Sequence, residues 1–387
     1  MNRAHVEGPD AAEQFARVRL LRSPNIGPVT FYHLLTRFGS AVAALPAVPD
    51  LAARGGAAYR LAPAAQIEDE FAALARCSAR LVFHDDGHYP LALLAADQPP
   101  PVLSVRGNLA LFDQPGVAIV GARNASAGAV RLARDFAAAL AARGFAVISG
   151  LARGIDAAAH HGALAAGDGA VHDGGTIAVI AGGIDVVYPP EHAALQERIA
   201  AEGLLVAQMA PGIEPQARHF PSRNRIIAGL AAGTVVVEAA PKSGSLITAR
   251  LAGEFGREVM AVPGSPLDAR AHGCNRLIRE GAILVQSADD IAELVDTFQG
   301  TARSTFRDGA LGDYAGAQNE GAGDAPAGDV VAQIAALLGT APVTVDELIR
   351  QSGAAPGVVQ NALLDLELAG RLARHAGGRV STVAFGA

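Results

Sequence analysis

Between Gly116 and Val262 the chain repeats one pattern: a short, nearly continuous apolar run, a glycine-bearing turn, then a segment of helical periodicity. The runs are Gly116–Gly121, Phe145–Gly150, Thr176–Ala181, Leu204–Ala207, Gly233–Glu238 and Glu258–Val262. Strands that lack alternating polar positions are buried on both faces, and the intervening helices supply the covers. The pattern predicts an α/β fold with an extended, Rossmann-like, doubly wound parallel sheet. Val130–Arg143 and Ile155–Ala166 are predicted helices, and Arg80–Phe83 and Val102–Val105 are predicted strands ahead of the repeat.

The flanks read differently. Arg17–Leu61 carries short helices around the turn Ser23-Pro24-Asn25-Ile26-Gly27-Pro28, and a further helix runs from about Ile67 to Cys77. Residues 1–78 are therefore expected to form a small helical domain, and residues 79–298 the sheet domain. Gln299–Asp329 is rich in Gly, Ala, Asp, Asn and Gln, which predicts a flexible linker. From 330 to 387, three helices (Val331–Leu338, Val345–Ser352, Gly357–Ala369) precede a hairpin around Gly377-Gly378. Thr344 with Glu347 forms a capping-box pattern. Helices followed by a hairpin suggest a winged-helix domain; a small interaction module that touches no nucleic acid fits the same pattern.

Composition narrows the function classes. No apolar stretch is long enough to span a bilayer, and Met1–Asp10 has no apolar signal region, so a cytoplasmic protein is expected. Cys77 and Cys274 are the only cysteines, too few and too far apart for a zinc site or a disulfide framework. The net charge of −7 argues against a broad polyanion-binding surface. Its distribution argues the other way locally. From Phe220 to Glu280 there are eight cations and five anions, a local balance of +3, and this window holds Lys242, the only lysine.

The turns after the strands carry the candidate chemistry, because ligands of open α/β sheets sit outside the carboxyl ends of the strands. Gly121 leads into Ala122-Arg123, where helix-terminal N–H groups and a guanidinium favour an anion. Ser149-Gly150-Leu151-Ala152-Arg153-Gly154 is a second such turn, with Asp156 expected to cap the next helix and His160 and His161 read as polar helix residues. Gly182-Gly183 makes a third. In Phe220-Pro221-Ser222-Arg223-Asn224-Arg225, two arginines are spaced to straddle a phosphate and Phe220 offers a stacking face for an unpaired base. Internal salt bridges and a core role for Phe220 are the competing explanation. Lys242-Ser243-Gly244 opens another helix and is again suited to an anion.

Catalytic patterns are missing. There is no complete dinucleotide or triphosphatase glycine motif, no metal-ligand spacing and no supported Ser/His/Asp arrangement, so no cofactor, metal or catalytic residue is expected. The competing enzyme reading is a Rossmann-like nucleoside-monophosphate phosphoribohydrolase, which would need a Gly-Gly-x-Gly-Thr-x-x-Glu loop. The nearest stretch has Gly233-Thr234 and then Glu238, at the wrong spacing and without the glycine pair.

Val120-Gly121-Ala122-Arg123, Ser149–Asp156, Phe220–Ile227, Ser243–Ala249 and Pro263-Gly264 together resemble the DNA-processing protein A family (DprA, also called Smf), in order and spacing across about Gly116–Leu294. The resemblance implies an extended Rossmann fold flanked by a sterile-alpha-motif or helix-hairpin-helix type domain and a winged-helix domain. It implies a non-enzymatic homodimer that binds single-stranded DNA and loads the RecA recombinase in recombination and natural transformation. By motif, Arg123 and the Arg223-Asn224-Arg225 group would line the DNA pocket, with Lys242, Ser243 and Gly244 nearby. The chain departs from the family at Ala207-Gln208-Met209-Ala210-Pro211, where a glutamate is common. It also carries an extra glycine-rich stretch, Gly167–Gly175.

Overall fold

The computed structural model describes residues 8–96, 98–166, 174–296, 327–375 and 377–383. The elements in chain order are α1 (Ala11–Arg22), α2 (Pro28–Phe38), α3 (Ala41–Arg54), α4 (Ala64–Arg76), β1 (Arg80–Phe83), α5 (Leu91–Leu94), β2 (Val102–Gly107), β3 (Gly116–Val120), α6 (Ala127–Ala141), β4 (Ala146–Ser149), α7 (Ile155–Ala166), β5 (Gly175–Gly183), α8 (Ala193–Glu202) and β6 (Leu204–Met209). They continue as α9 (His219–Leu230), β7 (Gly233–Val236), α10 (Ser245–Glu254), β8 (Glu258–Ala261), α11 (His272–Arg279), β9 (Ile283–Leu284), α12 (Ala288–Asp296), α13 (Ala327–Leu337), β10 (Val343–Thr344), α14 (Val345–Ser352), α15 (Pro356–Leu368), β11 (Leu372–His375) and β12 (Arg379–Thr382). They divide into two compact units. One is the sheet unit, from Glu70 through β1–β9 and α12; the other joins Pro9–Asp69 to the C-terminal elements.

In the sheet unit nine strands run in the order β1-β2-β6-β5-β4-β3-β7-β8-β9. The predicted parallel core is present: β6, β5, β4, β3, β7, β8 and β9 are all parallel. The two strands ahead of the repeat, for which no direction is expected, extend this core at one edge: β1 and β2 add to β6 antiparallel. Each core strand covers both faces by the period of two. Val117 and Ile119 of β3 pack under α6 and α7, with Phe136 and Leu140. Ala118 and Val120 face the opposite way, toward Ile226, Ile227 and Leu230 of α9.

The winding order of the strands, not their direction, reverses at β3. From β3 the chain winds outward through β4, β5 and β6, then crosses over α9 to β7 on the other side of β3 and winds outward again. The crevice between the turns after β3 and β7 is therefore the topological switch point, where such sheets bind ligands.

The other unit is described by itself. Helices α1–α3 pack around Leu20, Phe31, Leu34 and Leu51. The C-terminal elements form α13, the α14–α15 pair and a three-stranded sheet in the order β10-β12-β11. Gly377 and Gly378 both take positive φ, 76° and 64°, which makes the tight hairpin turn between β11 and β12. Thr344 accepts the Glu347 amide as the capping pattern predicts, but the Glu347 carboxylate turns to Arg350 and Gln351 instead of closing the box. Most of the expected linker 299–329, and residues 167–173 of the glycine-rich stretch, lie outside the described residues.

Candidate nucleic-acid interface

At the carboxyl ends of β3, β4 and β7 lies a cleft of about 680 Å³, lined by Arg123, Asn124, Phe220, Arg223, Asn224, Lys242, Ser243, Gly244 and Arg270 among others. A smaller cavity of about 170 Å³ adjoins it, between the turn Gly150–Arg153 and Tyr188–Pro190; Arg123, Phe220 and Arg223 line both. Most of the sequence-predicted binding residues thus converge on one place.

Arg223 sits at the base. It is 7% exposed, yet its Nε has no hydrogen-bond partner. Its nearest counter-charge is Asp156, with Nη1 3.8 Å from Oδ2, an ion-pair separation beyond hydrogen-bond reach. Burial pulls the Arg223 guanidinium down from its ordinary pKa, opposed by Asp156; burial pushes the Asp156 carboxyl up, opposed by Arg223 and by two backbone N–H groups. Gly150 is required for this placement. A Cβ there would stand 1.5 Å from Arg223 Nη1, so any side chain would displace the guanidinium.

Asp156 does not cap α7 as expected. It lies inside the helix, and its Oδ2 accepts the amides of Gly150 (3.2 Å) and Ala152 (3.4 Å), which pins the preceding turn. His160, a polar residue of α7 as expected, faces inward. It is fully buried, and its Nε2 accepts the Leu151 amide at 3.3 Å. Its Nδ1 lies 2.7 Å from the Thr176 hydroxyl, which itself donates to Val147 O. The hydroxyl proton is committed, so Nδ1 carries the imidazole proton and the ring is neutral. Burial drives the His160 pKa down to about 3. His192 Nδ1 lies 2.9 Å from Leu151 O, so both backbone groups of Leu151 meet a histidine. Leu151 holds φ of 55°, uncommon for a non-glycine residue, and Gly154 follows at 73°.

Phe220 is already engaged. The Arg123 and Arg223 guanidinium carbons lie 5.3 and 5.6 Å from its ring centroid, and Tyr188 meets it edge-on at 6.2 Å. The ring acts as a plate that gathers two cations, which is a different arrangement from a bare stacking face. Arg123 and Lys242 are exposed and have no ion-pair partner among the described residues.

Three expected residues are placed elsewhere. The helix α9 begins at His219, so Arg223 and Arg225, two apart, project to different sides. Arg225 lies over Phe255, 5.1 Å from its centroid, and does not line the cleft. Ser149 is fully buried and donates to Ile119 O at 2.6 Å, tying β4 to β3. Arg153 stands at the rim of the smaller cavity and pairs with Glu191, an acid that the sequence reading passed over. Ser243 reaches Ser245, its Oγ 2.7 Å from that hydroxyl, at the start of α10.

Glu238, at the end of the β7 run, faces away from the cleft. It accepts the Ser126 hydroxyl at 2.6 Å and the Ser126 amide at 3.1 Å, while Ser126 Oγ accepts the Ala129 amide at the start of α6. Among the described residues no group of His, Cys, Asp and Glu could hold a metal ion, and no helix is long and apolar enough to cross a membrane.

Comparison with known proteins gives matches along most of the chain. The family model of DNA recombination-mediator protein A matches residues 80–296. A DprA-like N-terminal HHH domain matches residues 11–73, and a DprA winged helix domain matches residues 319–378. Protein Smf of Synechocystis sp. is 36% identical over 316 residues, 76% of this chain and 78% of that protein. DNA processing protein DprA of Streptococcus pneumoniae is 45% identical over 206 residues, 53% of this chain and 71% of that protein. The X-ray structure of DprA from Streptococcus pneumoniae superimposes with a TM-score of 0.61 at 35% identity, covering 72% of this chain and 97% of that one.

Proposed function

The chain belongs to the DNA recombination-mediator protein A family, and from that membership we propose that its sheet unit binds single-stranded DNA in the cleft at the switch point. The observation that carries this reading is Arg223: a buried guanidinium with a free Nε, at the base of a cleft whose rim adds Arg123 and Lys242. An anion entering the cleft meets the Arg223 guanidinium where it lines the cleft, with Arg123 and Lys242 alongside, and charge-assisted contacts of this kind are the strong ones. Among the described residues the only carboxylate lining the cleft is Asp156, which is engaged by Arg223 and the turn amides, so it presents little to repel a phosphate.

Shape favours a single strand. A flexible strand can feed one phosphate after another into a narrow cleft, whereas a duplex is stiff over this scale and keeps its phosphates on the outside of a cylinder. In the same reading the strand is delivered to the RecA recombinase in recombination and natural transformation, by a cytoplasmic homodimer; family membership supports these parts. We also infer that the protein is not an enzyme. Glu238, the nearest counterpart of a phosphoribohydrolase acid, is committed to Ser126.

Fluorescence anisotropy with oligo-dT and with duplex of equal length, titrated across salt and run beside a nucleotide hydrolysis assay, tests the proposal. The expected result is at least tenfold tighter binding of oligo-dT, weakening as salt rises, with no hydrolysis. Equal or tighter duplex binding, salt-independent affinity, or release of a base from a nucleotide would overturn it.

A further inference from the structure

Helices α14 and α15 with their short turn have the form of a helix-turn-helix, in which the second helix ordinarily enters the major groove. Here α15 is otherwise engaged. One side of it, with Val359, Leu363 and Leu366, packs in the winged-helix core against Ile334, Leu348 and Val380. Its other side gives Leu364 and Leu368 to the cluster built by Leu20, Phe31, Leu34 and Leu51 of α1–α3.

Polar contacts frame that second face. Arg54 Nε donates to Asp365 Oδ2 at 3.2 Å, and Arg37 Nη1 donates to Asn361 Oδ1 at 3.2 Å. Asn25 Nδ2 donates to Leu368 O at 3.2 Å, and Arg371 Nη1 to Gly55 O at 3.0 Å. At Gly55 a Cβ would stand 2.1 Å from Asp365 O, so the two backbones approach as closely as a glycine permits. The charge of the pair also opposes a DNA role. From Val345 to Ala369 the only cation is Arg350, which Glu347 holds, against Asp346, Glu347, Asp365 and Glu367, a balance of −3. Phosphate neutralisation supplies most of the affinity of DNA-binding modules, and this pair has no free cation to offer.

We propose that α15 is the docking face for the N-terminal helical domain of the same chain, and that the winged-helix domain is a clamp on that domain and not a reader of a DNA groove. The two ends of the sequence then form one composite module. Release of α15 exposes an acidic, apolar helix, which gives duplex DNA nothing to bind.

Hydrogen exchange on the full chain tests the docking. In Arg54→Asp, and independently in Gly55→Leu, amides of α15 should exchange at least tenfold faster than in the parent, with β3 and β4 unchanged. The charge-swapped pair Arg54→Asp with Asp365→Arg should return α15 to within threefold of the parent, which a merely unfolded variant cannot do. Duplex affinity should stay within twofold in every variant. Exchange of α15 that is insensitive to both single substitutions would overturn the docking. A tenfold gain in duplex affinity on loosening α15 would overturn the claim that the helix pair reads no groove.

Discussion

Arg223 and Asp156 face one another at 3.8 Å, both nearly buried, too far apart for a hydrogen bond and with Arg223 Nε unpaired. A buried donor left without a partner costs about 1–3 kcal/mol. Arg257 Nε and Arg374 Nη2 are also buried without a partner, but Arg223 is the one of the three that lines a cleft with Arg123 and Lys242, where a phosphate would meet its guanidinium.

The turn beneath Arg223 gives the sharpest steric test. Gly150→Ala puts a Cβ into the guanidinium. Overpacking of this kind costs roughly 1–3 kcal/mol of stability. Single-strand affinity should fall at least tenfold in protein that chemical denaturation shows to be folded. Gly128→Ala, at a position where an added Cβ meets nothing within 4 Å, should leave affinity unchanged.

Glu238→Gln separates a structural acid from a catalytic one. The variant weakens the contacts to Ser126 that anchor the start of α6. Losing a charge-assisted contact should lower stability by about 1–3 kcal/mol in denaturant melts. DNA affinity should stay within twofold of the parent, because the carboxylate faces away from the cleft.

His160 makes a prediction about pH. Its folded pKa is lowered to about 3 from an ordinary 6.5, so between these values the unfolded chain binds a proton that the folded chain does not. Its contribution to stability is complete above pH 6.5 and is lost as pH falls toward 3, with a slope of up to about 1.4 kcal/mol per pH unit from this one proton. Denaturant melts at pH 7.5, 6.0 and 5.0 should show that slope in the parent and a shallower one in His160→Gln. An equal slope in both would assign the acid sensitivity to other groups.

Much of this was legible in the residues themselves. The apolar runs located the parallel strands, and the glycine-bearing turns located the cleft, because both are local consequences of burial on two faces and of tight strand-to-helix turns. The antiparallel edge was not legible, since Arg80–Phe83 and Val102–Val105 look the same in either direction. Spacing misled at Arg223 and Arg225: they read as a pair straddling one phosphate, and the helix that begins at His219 turns them apart. Asp156 read as a helix cap and His160 as a polar helix residue, and only the return of the Gly150–Ala152 turn over them makes them buried supports. The docking of α15 joins residues 311 positions apart, Arg54 and Asp365, which no local pattern announces.

The central claim is that Arg223 and Arg123 hold the backbone of a single strand and Arg225 does not. Anisotropy with oligo-dT, measured at several salt concentrations for the parent, Arg123→Ala with Arg223→Ala, and Arg225→Ala, tests it directly. The double variant should bind at least tenfold more weakly, and its salt slope should be shallower by about 1.4, two contacts at about 0.7 each. Arg225→Ala should match the parent within twofold. Unchanged affinity and slope in a folded double variant, or a loss carried by Arg225→Ala alone, would contradict the account.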